Sequence, residues 1–308
     1  MMVHTSVLTK KVIKYLEIKK NGTYIDCTFG GGGHSRAILK KLGIDGKLYS
    51  LDQDPQAVKI GKKIEDPRFK IFLDKFSNIE RNLQNVKNKN KIDGILLDLG
   101  MSSLQLNSHR RGFSFMNDGP LDMRMNPKIG ISVCEWLKKT NLKEIEWVIK
   151  NFGEDKYAKK IARAIILQNK RKIIKSTLDL VKVIKKSIPI YDKFKHPARR
   201  TFQAFRIYIN QEIIELKKIL RIIINLLSSG SRIAIISFHS IEDRIVKKFI
   251  KNNSTHPTIP KGLPITEIQI KKQTKKKIRF IKRIKPTISE IQKNPRARSA
   301  ILRICELR

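Results

Sequence analysis

Cysteine is scarce. Cys27, Cys134 and Cys305 are the only three in 308 residues, they lie far apart, and no Cys-x-x-Cys pair or histidine at ligand spacing accompanies them. Neither a zinc site nor a disulfide framework is expected. Long apolar runs are missing as well. The first twenty residues mix lysine with apolar positions and hold no continuous apolar stretch of the kind a secretion signal carries. Nowhere do about 18 apolar residues follow one another, the length a membrane-crossing helix needs. A soluble, cytoplasmic protein with no membrane partner is the expectation. Carboxylates are few: 27 Asp and Glu stand against 66 Lys and Arg, for a formal net charge of +39. Such a surplus concentrates polyanions around a protein and steers their approach, so nucleic acid is the first partner to consider. Most of the surplus is lysine beside abundant Ile and Asn, the residue mix of an AT-rich genome. Compositional drift therefore shares in it, and the charge names no target.

What is present is enough for a core. Apolar residues make up 40% of the chain, with 13 Phe, 6 Tyr and 2 Trp, and domains commonly run to about 100–200 residues, so one large domain or two joined ones are expected. From residue 23 to 97 short β-rich runs alternate with amphipathic stretches, the pattern of βαβ units. Strands are expected at 23–28, 47–51, 69–73 and 92–97, with helices at 34–42, 55–64 and about 79–86. Ile95-Leu96-Leu97 is apolar throughout, as in a strand buried on both faces. After Asp98 the pattern changes to a Gly-, Ser-, Met- and Asn-rich loop reaching about 130. Helical periodicity follows at 142–150, 156–168, 177–186 and 197–227, and strands return at 232–237, 278–284 and 300–307. Residues 252–277, polar and rich in Pro and Lys, suggest a long loop. No internal repeat is evident. The expected architecture is an open, doubly wound α/β sheet, discontinuous over 1–105 and 211–308, with a helical insertion at 106–210.

The first strand runs into Asp26-Cys27-Thr28-Phe29-Gly30-Gly31-Gly32-Gly33-His34. Glycines at such a turn let the backbone approach a ligand closely and adopt positive φ. The nicotinamide fingerprint Gly-x-Gly-x-x-Gly fails here, because its last position falls on Ser35 or Arg36, and no Gly-Lys-Ser/Thr of a P-loop follows. The second strand ends at Asp52, placed to accept hydrogen bonds from both hydroxyls of a ribose. Asp54, before Pro55, better suits a helix N-cap. The fourth strand ends at Asp98. Asp26, Asp52 and Asp98 thus converge on the rim where open α/β sheets bind ligands.

Six blocks, 26–36, 92–105, 112–125, 196–207, 235–246 and 294–303, together with Arg111-Gly112-Phe113-Ser114-Phe115 and Ser237-Phe238-His239-Ser240-Ile241-Glu242-Asp243-Arg244, resemble the RsmH (formerly MraW) family of bacterial small-subunit rRNA (cytosine-N4)-methyltransferases. The resemblance runs in order through nearly the whole chain. It implies a class I, S-adenosylmethionine-dependent methyltransferase core carrying a helical insertion. It also implies 16S rRNA, within the small ribosomal subunit, as the partner, and transfer to N4 of a decoding-region cytidine. By matched motif, Gly32, Gly33 and His34 would contact the cofactor at the turn, Asp52 its ribose, and Phe76 and Asp98 its adenine, with Gln105 just beyond the fourth strand. Phe76 also suits a core aromatic, and His34 a helix cap. Gly31 departs from relatives, which often carry a larger, frequently basic residue there.

Cytosine N4 is a poor nucleophile because its lone pair is delocalised into the ring, so an acceptor must draw one N–H out of plane and the proton must later leave. Amino-methyltransferases commonly place Asp/Ser/Asn-Pro-Pro-aromatic after the fourth strand; here the segment reads Asp98-Leu99-Gly100-Met101, without the prolines or the ring. The Leu99 or Gly100 carbonyl could then be the acceptor, with Phe113, Phe115 or Phe238 supplying the stacking ring. Asp98 and His239 are the candidate catalytic side chains, Asp98 more for cofactor binding than for proton transfer, and His239 alternatively a buried, hydrogen-bonded histidine. No cysteine suits covalent attack on the base, so direct transfer is expected. For RNA, Arg199, Arg200 and Arg206 interleave with aromatics, and Arg296 and Arg298 precede the last strand; either group could instead brace the sheet-rim carboxylates. The Lys-rich run 271–285 suits a solvated face or nonspecific phosphate contact. Two other readings stay open: a nicotinamide-dependent oxidoreductase, disfavoured by the failed fingerprint and the basic charge, and a noncatalytic rRNA-binding assembly factor. A homodimer is also left open.

Overall fold

Seven strands form one sheet: β1 (Thr23–Asp26), β2 (Lys47–Asp52), β3 (Phe69–Leu73), β4 (Ile92–Asp98), β5 (Leu227–Ser237), β6 (Ile278–Ile284) and β7 (Ile301–Leu307). They come from a computed structural model that describes residues 6–84, 92–189, 196–255 and 276–308. The order is β3-β2-β1-β4-β5-β7-β6. β1 to β5 pair in parallel, and β7 runs antiparallel to both of its neighbours. β2 and β4 each run one residue beyond the expected limit and end on Asp52 and Asp98, while β1 ends on Asp26. β5 starts at Leu227 rather than 232, with a register shift against β4 between Ile92 and Gly94. Its first turn, Ser228-Ser229-Gly230-Ser231, carries no β-branched or aromatic residue, so composition hid that part of the strand.

The chain divides into two units, Met1–Gly100 with Ile214–Arg308, and Met101–Ile213. In the first, the period-2 alternation of strands sorts β4 into two cores. Ile95 and Leu97 pack with Ile25, Leu51, Ile235, Ile219, Ile223 and Val246. Leu96 turns the other way, onto Tyr24, Leu48, Ile236, Ile38 and Leu302. This second core also takes Val12 and Leu16 from a helix, Thr9–Leu16, that the lysine-rich opening of the sequence did not suggest. Helices Gly33–Leu39, Pro55–Gly61 and Ile79–Leu83 follow β1, β2 and β3. Asp54 caps the second of these, its Oδ1 accepting from Gln56 N at 2.9 Å, as Pro55 at the first helical position predicts. Helix Ser240–Ser254 follows β5 and runs into the segment expected to be a loop. The rest of that expected loop, up to 275, lies outside the described residues.

The second unit is helical: Ser103–Asn107, Val133–Lys139, Leu142–Gly153, Ala158–Arg171, Thr177–Ser187 and Arg199–Asn210. Ser132, Asn141 and Ser176 cap three of these through their side-chain oxygens, each satisfying an N–H that has no partner within the helix. The single helix expected at 197–227 is two. Gln211 adopts φ +56° and ends Arg199–Asn210 before Glu212–Leu226 begins. A left-handed residue that is not Gly or Asn leaves no compositional mark. The loop 111–125 is held down from two sides. Arg111 Nη2 donates to the carbonyls of Arg124 (3.0 Å) and Met125 (2.7 Å). Asn210 accepts from Met125 N and donates to Met123 O, both at 2.7 Å. Among the described residues no helix is long and apolar enough to cross a membrane.

Candidate active site

The glycine turn is tied to the tips of two strands. Phe29 N donates to Leu51 O (3.0 Å), and Gly30 N to Asp52 Oδ2 (2.8 Å). Asp52 Oδ1 accepts from Asp54 N at 2.8 Å. Burial pushes the Asp52 carboxyl up to about 6, with these two N–H bonds pulling the other way. Gly32 sits at φ +76°, and a Cβ there would lie 2.5 Å from Phe29 Cζ; at Gly33 it would meet Ser6 Oγ at 2.1 Å. Position 32 requires glycine, while at 33 the Ser6 hydroxyl would have to turn aside. Position 31 makes no such demand, because a Cβ there meets nothing within 4 Å. A larger residue at position 31 would therefore enter open space and leave the turn's packing intact.

Of the three strand-tip aspartates, Asp26 is taken up by the fold. It is fully buried, accepts from Thr28 N (3.1 Å) and from Ser35 Oγ (2.7 Å), and anchors the helix after the turn to β1. Asp98 differs. Its backbone N donates to Thr28 Oγ1 at 2.7 Å and its Oδ2 lies 3.6 Å from His34 Nδ1, yet its buried Oδ1 has no hydrogen-bond partner. Burial, reinforced by the charges of Asp26 and Glu242, holds the Asp98 carboxyl well above the usual carboxylate range. His34 is itself buried, and its Nε2 lies 3.0 Å from Val7 O, to which it donates. In the neutral ring that leaves Nδ1 as the acceptor facing Asp98.

Past β4, Leu99 N donates to Ile236 O (3.0 Å), and Gly100 turns at φ +96° with the Phe238 ring 3.5 Å from where its Cβ would stand. Phe238 and His239 are set by Glu242, whose Oε2 accepts from Phe238 N (2.8 Å) and His239 N (3.4 Å). His239 in turn caps helix Ser240–Ser254: its Nδ1 accepts from Glu242 N at 3.4 Å, and its Nε2 lies 3.1 Å from Glu242 Oε1. The acceptor nitrogen is thus engaged by the helix, which favours a positioning role over that of a proton acceptor. Asp243 takes a two-pronged pair from Arg303 on β7, Nε to Oδ1 at 2.8 Å and Nη2 to Oδ2 at 2.9 Å. Phe76 opens a short turn after β3, half-buried against the Ile79 and Leu83 core. Asp74 ties that turn together, accepting from Asn78 Nδ2 (2.7 Å), Arg81 Nη2 (2.6 Å) and Asn82 Nδ2 (2.9 Å). The sequence offered no signal for this role of Asp74.

The remaining expected residues are placed as follows. Gln105 lies in the second unit, 3% exposed, its Oε1 accepting from Ser102 N at 3.1 Å in a capping box. Phe113 is buried in that unit's core, and Phe115 stacks on His196 with centroids 4.7 Å apart. Arg199 and Arg200 are exposed, Arg200 Nη1 donating to Glu154 O at 2.9 Å. Arg206 is 8% exposed and donates to Glu212 from Nε (2.7 Å) and Nη2 (2.9 Å). The pair fits the bracing alternative left open for Arg206. Arg296 and Arg298 are exposed on the turn Pro295–Ser299, directly before β7.

A parallel sheet whose one reversed strand lies inside the final pair, with its glycine turn and buried carboxyls at the strand tips, is the class I S-adenosylmethionine-dependent methyltransferase fold. The sequence matches the MraW methylase family along residues 1–308, and the chain belongs to that family. Two relatives called "Ribosomal RNA small subunit methyltransferase H" come from Buchnera aphidicola. The one from subspecies Cinara cedri is 58% identical over 306 residues, covering 99% of this chain and 100% of its own. The one from subspecies Acyrthosiphon pisum (strain Tuc7) is 57% identical over 304 residues, covering 99% and 97%. Among solved structures, an rRNA methylase from Streptococcus thermophilus aligns over 100% of this chain and 99% of its own, at 11% identity and a TM-score of 0.40. The residues present fit the methyl donor the family implies: the buried Asp98 Oδ1 has no protein partner, and Gly32 at φ +76° lets the turn close against Phe29 beside it.

Proposed function

We propose that this protein transfers a methyl group from S-adenosylmethionine to N4 of a decoding-region cytidine in 16S rRNA, acting on the small ribosomal subunit in the cytoplasm. The observation that carries the transferase half is the buried Asp98 Oδ1 without a protein partner, beside a glycine turn whose Gly32 sits at φ +76°. The rRNA half rests on full-length relatives at 57% and 58% identity that carry the name of a small-subunit rRNA methyltransferase.

In this reading Gly32, Gly33 and His34 hold the donor at the turn. Asp52 takes its ribose hydroxyls, and Phe76 and Asp98 flank its adenine. When bound, S-adenosylmethionine supplies a methyl group already activated by the sulfonium charge. The protein's task is then to hold N4 in line at near-attack distance. Gly100 and Phe238 suit that task. The turn leaves the Leu99 and Gly100 carbonyls beside the tip of β4, with the half-buried Phe238 ring next to Gly100 as the candidate stacking ring. An extruded base held this way has left its stack, as enzymes acting on bases require. Glu242 and His239 fix the Phe238 turn. Arg199, Arg200, Arg296 and Arg298 grip phosphates.

Incubation with isotope-labelled S-adenosylmethionine and small ribosomal subunits lacking the modification tests the proposal. Label should enter 16S rRNA and not the large-subunit RNA. Cofactor binding without label transfer would favour the assembly-factor reading instead.

A further inference from the structure

The chain's two tryptophans have opposite fates. Trp136 is buried in the second unit's core, its Nε1 donating to Glu144 Oε1 at 3.1 Å. Trp147 is 53% exposed. Helix Leu142–Gly153 buries Ile145, Val148, Ile149 and Gly153 on its core side. At helical spacing the opposite stripe is Lys143, Trp147, Lys150 and Asn151, all exposed. An indole left on such a stripe forgoes the burial that its large apolar area would gain. The core does not need it, and its ring is propped from one side by Phe152, which meets it edge-to-face at 5.3 Å and 85°. The helix ends against Arg199–Asn210 so closely that a Cβ at Gly153 would be 2.8 Å from Arg200 O. This contact, with Arg200 Nη1 on Glu154 O, sets the exposed Arg199 and Arg200 at the C-terminal end of the same helix.

We infer that the Trp147 face of helix Leu142–Gly153 is a stacking platform for an unpaired nucleotide of the rRNA, with Lys143 and Lys150 flanking the ring and Arg199 and Arg200 at the helix end taking the adjoining phosphates. The inference rests on the rRNA substrate proposed above and adds a place of contact to it. An aromatic face bordered by cations is what single-stranded nucleic acid uses, because every base has a stacking surface and every linkage a charge. Glu146 on this helix and Glu154 just past its end are the carboxylates outside the core, and four cations outnumber them. Glu144 is occupied by Trp136, Thr140 and Tyr208. A second copy of the chain would bring cations against cations here, in a protein of net charge +39, which disfavours a self-interface.

The test uses tryptophan fluorescence of the full-length protein titrated with a single-stranded oligonucleotide of decoding-region sequence, with a duplex of equal length as control. The single strand should quench wild-type emission, and the residual emission of Trp147→Phe, which comes from buried Trp136, should not be quenched. Trp147→Ala should weaken binding of the single strand about tenfold, within the range for one lost base stack, and leave S-adenosylhomocysteine affinity unchanged as evidence of intact folding. Equal quenching of wild type and Trp147→Phe, no quenching of wild type, or unaltered affinity in Trp147→Ala would overturn the platform. Emission that shifts with protein concentration in the absence of RNA would assign the face to a second copy and overturn it as well. Methyl transfer by the wild type to small subunits, measured in parallel, separates the two ideas: quenching without transfer sinks only the proposed reaction, and transfer without quenching sinks only the platform.

Discussion

The backbone N–H of Gly30 donates to Asp52 Oδ2 at 2.8 Å, so the glycine turn after β1 and the acidic tip of β2 form one piece. The carboxylate that would receive the ribose hydroxyls also shapes the loop beside it. Its environment makes binding sensitive to pH. Asp52 titrates at about 6 because of burial, against roughly 3.9 in an unfolded chain. A raised folded value means that this group's contribution to the stability of the ligand-free protein is complete below pH ~4 and is lost as pH rises through about 6. Binding has the opposite dependence, since the hydroxyls need the ionised form. S-adenosylhomocysteine affinity measured by calorimetry should be flat above pH 7 and about tenfold weaker at pH 5. A pH-independent affinity would remove Asp52 from the ribose contact.

The four glycines of the turn are not equivalent. Gly31→Arg places its side chain in open space and should leave cofactor affinity and denaturation midpoint unchanged, within about 0.5 kcal/mol. Gly32→Ala combines φ +76° with a 2.5 Å approach to Phe29 and should cost about 1–3 kcal/mol together with most of the binding. Urea denaturation and ligand titration on the two variants decide this, and equal behaviour would contradict it.

Arg206 and Arg200 lie on one helix and should fail differently. Arg206→Ala removes the two-pronged pair that Arg206 makes with the largely buried Glu212 and should lower stability by about 3 kcal/mol. Arg200→Ala should leave the melting temperature nearly unchanged and weaken RNA binding most at low salt, whatever the sequence, with the slope of log affinity against log salt reduced by about 1. A destabilised Arg200 variant with a wild-type salt slope would make that residue a brace too.

The pair Arg303–Asp243 joins β7 to helix Ser240–Ser254 and so supports the turn that carries Phe238. Arg303, by hydrogen bond and by charge, holds the Asp243 carboxyl below the usual range against the opposing effect of burial. A depressed folded value means the stabilisation is present above pH ~4 and fades as pH falls through the folded value. Asp243→Asn should therefore cost about 2 kcal/mol at pH 7 and much less near pH 3. Denaturation curves at both pH values check this; a cost that does not shrink on acidification would point to packing rather than charge.

Much of the first unit was legible because its signals are local. Alternating strands, the glycines and the aspartates at strand tips each follow from a few neighbouring residues, and Asp52 and Asp98 fall where that pattern puts them. What stayed hidden depends on distant partners. Asp26 looks like its two neighbours on the rim, and only the Ser35 hydroxyl and full burial show that it belongs to the scaffold. Arg206 reads as a cation among aromatics until Glu212 meets it across a left-handed Gln211 that no composition marks. His239 carried a catalytic expectation, yet its Nδ1 faces the N–H of Glu242 three residues on, a cap that sequence rules associate with Ser, Thr, Asp and Asn rather than His.

The most direct measurement is to digest 16S rRNA after reaction with small subunits and identify the methylated nucleoside by mass spectrometry, for the wild type and for Asp98→Asn, with S-adenosylhomocysteine affinity measured on both proteins. The wild type should yield N4-methylcytidine at one decoding-region site, and Asp98→Asn should lose product and cofactor affinity together. A methyl group on another atom, or an Asp98→Asn protein that binds the cofactor normally yet makes no product, would contradict the assignment of Asp98 and the reaction built on it.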